Sequence, residues 1–434
     1  MTASTGVDTI FAMASGAGRA AIAVMRLSGP AARRAVAALC RDRVPAPRQA
    51  ALRRLRGPDG SELDQAIILW LPGPATYTGE DSAELHLHGG RAVIAAVADA
   101  LTALGLRPAD PGEFTRRAFL NGRLDLVEAE AVHDLVSAET EAQRRQALRQ
   151  LDGALGRTYQ GWADALRGVL AQQEALIDFP DEDLPPAVEA HLLATLASLR
   201  QAIAAHLDDG HRGEKLREGL FFAITGPPNV GKSSLINVLA DRDVAIVSAV
   251  PGTTRDALEA RVILGGVPVT LVDTAGVRET ADAIEAEGVR RALRRAEEAD
   301  LVIRMIETGQ PDPDRTDSRS LLVANKADLG GPSPSRALRL STLTGEGLAT
   351  LRDILSDRAR ELTQSEGPPP LTRARHRVAL ETALDHLTRA EAAEWPELRG
   401  EDLRLALRAL GRITGHVGVE DILDTLFAQF CIGK

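Results

Sequence analysis

The chain has 434 residues, 44% of them hydrophobic, 26% charged and only 3% aromatic, with a net charge of −10. At roughly 150 residues per domain, this length suits about three domains, and the composition excludes collagen-like, coiled-coil-only and wholly disordered chains. Two cysteines cannot build a disulfide framework, and no run approaches the ~18 apolar residues of a membrane span. The opening MTASTGVDTIF has no basic segment, so no secretory leader is expected, and the acidic balance argues against coating nucleic acid by bulk charge. A cytoplasmic protein without a membrane is the expectation. Only four of the 51 basic residues are lysine (Lys215, Lys232, Lys326 and Lys434). A chain so biased to arginine keeps lysine mainly where a compact ammonium is needed.

Residues 1 to about 120 mix strand and helix. AIAVMRLSG (21–29) and QAIILWLPG (65–73) are apolar runs ended by Gly or Pro and read as buried strands. SAELHLHGG (82–90) alternates, and RAVIAAVADALTALG (91–105) has helical spacing with a Gly stop. From about 121 to 215 strands vanish, and 126–151 and 159–179 each read as a long amphipathic helix. DFPDEDLPP (178–186) is a break before a further helix. Residues 217 to about 360 alternate strands and helices as a parallel α/β sheet does, a proline-rich hinge follows at 365–370, and the rest is helical. The simplest architecture is a helical domain in two segments with the α/β unit inserted between them.

LFFAITGPPNVGKSSLINVLA (220–240) is strand, loop and helix, and Gly226-x4-Gly231-Lys232-Ser233 within it is a complete phosphate loop. Backbone amides and the helix N-terminus cradle phosphate, Lys232 reaches the terminal phosphates and Ser233 ligates magnesium. Asn229, Val230, Gly231 and Ser234 complete the expected contacts of this loop. Thr254, in VPGTTRD, is placed to ligate magnesium, with Ser248, Ala249, Val250, Pro251, Gly252 and Thr253 leading up to it as GTP contacts. LVDTAG ends a strand with Asp273 for magnesium through water, then Thr274, Ala275 and the phosphate-binding amide of Gly276. Asn325-Lys326-Ala327-Asp328 ends another strand. The Asp328 carboxylate accepts two hydrogen bonds from guanine, and the Lys326 stem covers the ring. Ser341, Thr342 and Leu343 fall where a backbone amide completes the base pocket. Four such elements in register assign GTP.

The residue after DTAG is Val277, which cannot orient an attacking water as a Gln does in many small GTPases. Glu285, in the following segment, is the candidate general base, and a solvated helix carboxylate is its plainer reading. His86 and His88 alternate without a third ligand in view. Two arginine clusters, at 290–295 and at Arg144, Arg145 and Arg149, read first as solvated helix faces and second as contacts for nucleic-acid phosphates.

PGEFTRRAFLNGRLDLVEAEAV (111–132), IDFPDEDL (177–184), GPPNVGKSSL, PGTTRD, DTAG and CIGK (431–434) together resemble the tRNA modification GTPase MnmE (TrmE) family, from about Asp8 to Lys434. The resemblance implies a multidomain chain of α/β and all-α parts. These are an N-terminal α+β folate-binding-like dimerisation domain (1–120), a split helical domain (121–215 and 366–434) and an inserted Ras-like P-loop GTPase domain (216–365). It implies a homodimer that works with the FAD-dependent protein MnmG, in a heterotetramer or larger complex. Together they add an aminomethyl or carboxymethylaminomethyl group to the wobble uridine of certain tRNAs. 5-Formyltetrahydrofolate is the implied bound ligand and methylenetetrahydrofolate the implied carbon donor.

The same resemblance implies activation by potassium, held by Asn229, Ser248, the Val250 carbonyl and Thr253, and puts Glu285 at the family's catalytic glutamate. It carries folate contacts onto Arg26, Glu84 and Lys434, and onto Arg123, where relatives commonly have lysine. From the residues alone, Arg26 and Glu84 read as an ordinary ion pair. Cys431 corresponds to a terminal cysteine suspected as a nucleophile, against the reading of a small buried hydrophobe. The competing reading is a ribosome-assembly GTPase of the Era or Der kind. Such a switch usually carries a basic RNA-binding module, and none is evident in this sequence.

Overall fold

The computed structural model describes residues 8–16, 18–178, 186–242, 259–273, 299–311, 319–364, 368–415, 417, 420–428, 430 and 433. The chain divides into two compact units, Met1–His133 with Gly156–Ala163 and Leu410–Lys434, and Asp134–Leu155 with Asp164–Ala409.

The first unit runs β1 (Ile10–Met13), β2 (Ile22–Ser28), α1 (Ala32–Leu39), β3 (Ala50–Arg56), β4 (Glu62–Leu71), β5 (Ser82–His88), α2 (Arg91–Ala103), β6 (Arg107–Pro108) and α3 (Glu113–Leu120). Its sheet has the order β3-β4-β5-β2-β1-β6. All neighbours pair antiparallel except β1 with β6. Alternation sends Met25, Leu27, Ile68, Leu85 and Leu87 into a core with Val36, Leu39, Val97 and Leu101 of α1 and α2. The strands at 21–29 and 65–73 are therefore not buried on both sides. Ile22 is 60% and Ile67 44% exposed, because the core helices α1 and α2 cover one face of an antiparallel sheet. On the other face Ile10 and Ala12 pack against Phe114 of α3, and exposed Ile22 and Ile67 stand there beside polar residues of β2 and β5. The C-terminal helix, Glu420–Phe427, packs Leu423, Leu426 and Phe427 on Leu126 and Ala129.

Both units take residues from α4 (Leu126–Ser137) and α6 (Ala154–Asp178), while α5 (Glu141–Leu151) belongs to the second. The single helix expected over 126–151 is thus two. Thr140 caps α5 in a reciprocal box with Gln143, a T-x-x-Q signal that outweighs the continuing apolar period. There follow α7 (Pro186–Leu207), α8 (Arg212–Glu218), β7 (Leu220–Thr225), α9 (Lys232–Arg242), β8 (Glu259–Leu264), β9 (Val267–Asp273), β10 (Leu301–Glu307), β11 (Ser320–Asn325), β12 (Leu338–Arg339), α10 (Leu348–Thr363), α11 (Ala374–Ala392) and α12 (Pro396–Thr414). The sheet order is β12-β11-β10-β7-β9-β8, with only the β8–β9 pair antiparallel. Phe222, Ile224, Leu271, Ile303 and Val323 fill its core with Leu235, Leu239 and Leu355 of the covering helices. Helix α11 packs along α7, and its first turn is held by ion pairs: Arg373 to Asp134 at 2.7 Å, and Arg377 to Asp209 at 2.7 Å and Glu214 at 3.0 Å.

Candidate functional site

Central parallel strands of an α/β sheet end where ligands bind, and β7 ends in the phosphate loop. Gly226 has φ +149° and packs so closely on the Met305 carbonyl that a Cβ would collide with it. Gly231 has φ +102° against the Asn325 amide, and Asn229, at φ 62°, is exposed in the left-handed region that asparagine tolerates. The buried Lys232 ammonium donates to the carbonyls of Gly226 at 3.1 Å and Pro227 at 3.0 Å. Ser233 Oγ donates to Asp273 Oδ2 at 2.9 Å, so the two expected magnesium groups, from α9 and the end of β9, already meet. Two hard oxygens so placed suit magnesium. Ser234 is exposed in the first turn of α9.

The guanine motif is built at the end of β11. Asn325 Nδ2 donates to the Val230 carbonyl at 2.7 Å and to Thr342 Oγ1 at 3.3 Å, and its Oδ1 accepts from the Thr342 amide at 3.1 Å. Lys326, at φ 66°, pairs with Glu307, and the Ala327 amide donates to the Leu340 carbonyl at 3.0 Å. Ser341 Oγ donates to Asp328 Oδ1 at 2.5 Å and itself accepts from the Thr344 amide, which fixes the carboxylate's orientation. Leu343 is 84% exposed on the loop between them. Asn325 thus braces the two loops, while Asp328, the residue expected to read the base, is exposed beside them.

In the first unit, Arg26 of β2 stands directly opposite Glu84 of β5 on the face away from α1 and α2, with its Nη2 3.1 Å from Glu84 Oε1. The Arg26 guanidinium lies 5.6 Å from the Tyr77 ring centroid and 5.9 Å from that of Phe114. His86 Nε2 is 3.5 Å from the other Glu84 oxygen, and His88 bonds Asp64 instead. Arg26 Nε and Nη2 both donate to Glu84 Oε1, and a guanidinium and a carboxylate beside two aromatic rings suit a flat heterocycle with an amide edge. Gly79, at φ 78°, lies against the exposed Arg123, where a Cβ would stand 3.3 Å from its Cγ, so Arg123 borders the loop carrying Tyr77. Gly433 packs against the Met13 carbonyl, and β1 pairs with β2 beside Arg26.

The PGEFT segment holds this face. Gly112, at φ 68°, lets the chain pass the Phe427 carbonyl, Glu113 pairs with Arg107 at 2.6 Å and Arg117 at 2.9 Å, Phe114 supplies a ring, and Thr115 bonds the Tyr77 hydroxyl at 2.8 Å. Arg117 also pairs with Asp8 at 2.7 Å and Glu80 at 3.2 Å. Burial raises the Asp8 and Glu113 carboxyls, but hydrogen bonds from these arginines outweigh it and hold both below their ordinary range. Burial pushes the Tyr77 hydroxyl up, against Thr115 and Arg26.

Sequence reading had not singled out Tyr77, Phe114, Glu80 or Arg117. The signal was the PGEFT run itself, whose separate jobs only appear once β2, β5 and α3 converge. Ser248, Ala249, Val250, Pro251, Gly252, Thr253, Thr254, Thr274, Ala275, Gly276, Glu285, Cys431 and Lys434, and the arginines at 290–295, lie outside the described residues. Of the other arginine cluster, Arg144 and Arg145 pair with Glu141.

The family description "MnmE helical domain" matches residues 126–431, and "GTP-binding protein TrmE N-terminus" matches residues 9–123. A protein of Gluconacetobacter diazotrophicus named tRNA modification GTPase MnmE is 63% identical over 98% of both chains. One of the same name from Granulibacter bethesdensis is 59% identical over 98% of this chain and 99% of its own. Among solved structures, the G domain of the T. maritima FeoB iron transporter covers 33% of this chain and 99% of its own at 25% identity and a TM-score of 0.23.

Proposed function

The chain belongs to the MnmE family of tRNA modification GTPases, a GTP hydrolase, and from that premise we propose that it transfers a one-carbon unit from a reduced folate to tRNA, powered by GTP. The reaction adds an aminomethyl or carboxymethylaminomethyl group to C5 of the wobble uridine, with an FAD-dependent MnmG partner. The observation that carries it is the Arg26–Glu84 pair beside Tyr77 and Phe114, in the same chain as a phosphate loop and a guanine motif.

Arg26 and Glu84 orient the amide edge of the pterin, and the two rings exclude water from its faces. Arg123 and Lys434 meet the anionic end of the ligand. The folate supplies the one-carbon unit as 5-formyl- or methylenetetrahydrofolate. In the GTPase site, Ser233, Thr254 and Asp273 would hold a magnesium ion, which would neutralise phosphate charge, Lys232 draws negative charge from the terminal phosphates, and Glu285 takes the proton of the attacking water. Asn229, Ser248, the Val250 carbonyl and Thr253 would offer oxygen ligands to a potassium ion, which would supply the positive charge that an arginine finger gives elsewhere. The protein acts as a cytoplasmic homodimer through its N-terminal domain. Cys431 stays a candidate nucleophile in the transfer.

Calorimetric titration of the full chain with 5-formyltetrahydrofolate, beside Arg26→Ala, tests the folate reading. Binding that the variant loses is the expected result. A folded wild-type chain that binds none would reduce the first domain to a scaffold and leave the source of the carbon unit elsewhere.

A further inference from the structure

The second compact unit contains a cavity of about 400 Å³ that the nucleotide chemistry does not use. Its walls are α5, the Gly265–Gly266 turn between β8 and β9, the end of α10 and residues 369–372. Val267, which lines it, is at the far end of β9 from Asp273, and six residues of extended strand put about 20 Å between the two. The volume is within the range of small-molecule sites.

Three guanidiniums border the cavity, from Arg145 and Arg149, four apart on α5, and from Arg360 of α10. No aspartate or glutamate is among its described lining residues. Arg145 and Arg360 each have one carboxylate partner outside the lining, Glu141 at 2.8 Å and Asp357 at 2.6 Å. Arg149 makes no ion pair or hydrogen bond among the described residues. Thr372 is 2% exposed, yet its Oγ1 in the cavity wall has no hydrogen-bond partner among them. Buried hydroxyls are rarely left that way. Leu155, Leu216, Val267 and Pro370 form an apolar part of a wall that also carries the polar side chains of Gln146 and Gln364.

In a chain of net charge −10, a cavity with three arginines and no described carboxylate selects an anion. Planar, forked donors match the oxygens of a phosphate, and an apolar wall takes a flat ring. We infer that this cavity binds a small phosphate monoester with a ring-bearing body, of nucleoside monophosphate size. Arg145 and Arg149 hold the phosphate, Arg360 adds charge from the opposite wall, and Thr372 Oγ1 bonds the body of the ligand. This site is separate from the GTP and folate sites and stands whether or not folate binds.

The test is equilibrium dialysis of the full chain, loaded with GDP so that the guanine site is filled, against labelled adenosine 5′-monophosphate. The expected result is one saturable site per chain, weakened about tenfold by Arg149→Gln and about fivefold by Thr372→Val, with GDP affinity and thermal unfolding unchanged. Inorganic phosphate should displace the label from the wild type. No saturable binding up to millimolar concentration, binding equal in wild type and Arg149→Gln, or label that phosphate does not displace would each overturn the assignment. Arg149 is exposed, so its variant stays informative even if Thr372→Val disturbs folding.

Discussion

The side-chain amide of Asn325, the first residue of the guanine motif, donates to the backbone carbonyl of Val230 in the phosphate loop at 2.7 Å. A residue placed by sequence among the base contacts thus closes the phosphate loop against the base loop, through bonds to Val230 and Thr342. Asn325→Ala should weaken GTP and GDP alike by about tenfold, the worth of lost hydrogen bonds at a buried amide. Purine selectivity should hardly change. Titration with fluorescent guanine and xanthine nucleotides checks this, and a selective loss of guanine would return Asn325 to base reading.

Asp328 is held by Ser341 in a single orientation. Asp328→Asn should cost GTP about a hundredfold or more in affinity and gain xanthosine triphosphate, because the exchanged donors and acceptors pair with the other base. Unchanged GTP affinity would remove the base-pocket assignment.

Hydrolysis should separate from binding at Glu285. Glu285→Ala should leave GTP affinity intact and slow turnover by about 10²–10⁴-fold, the usual worth of a general base. Single-turnover hydrolysis with pre-bound GTP measures it, and an undiminished rate would exclude Glu285 as the base.

The first unit should be acid-labile through one network. Asp8 and Glu113 titrate below their ordinary values of 3.8 and 4.5 when folded. Their contribution is therefore complete above those values and is lost as pH falls through the lower, folded ones. Arg117, 7% exposed, faces Asp8, Glu80 and Glu113 together. Arg117→Met should cost about 2–4 kcal/mol at neutral pH, because it leaves three partly buried carboxylates short of charge. Urea unfolding from pH 7 to 3 should also show a shallower acid loss in the variant. Equal slopes would mean that other carboxylates carry the acid lability.

Local signals were enough to settle most of the elements. Strand-to-loop-to-helix order around Gly226–Ser233 fixed the phosphate loop, since glycine where φ is positive and lysine at the loop mouth are demands of the backbone itself. Alternation placed Arg26 and Glu84 on strands, but neither their partner nor their face, because period two is the same for any pair of strands. Even the T-x-x-Q break at Thr140 was written locally, though apolar spacing on both sides hid it.

By itself, then, the sequence determined the GTP chemistry, whose groups lie within short runs that end successive strands. Only the tertiary structure decided that Arg26 meets Glu84 beside Tyr77 and Phe114, that PGEFT holds them, and that three arginines share a cavity with Thr372. Those groups come from residues tens to hundreds of positions apart. Their meeting depends on sheet register and helix packing, which no local spacing encodes.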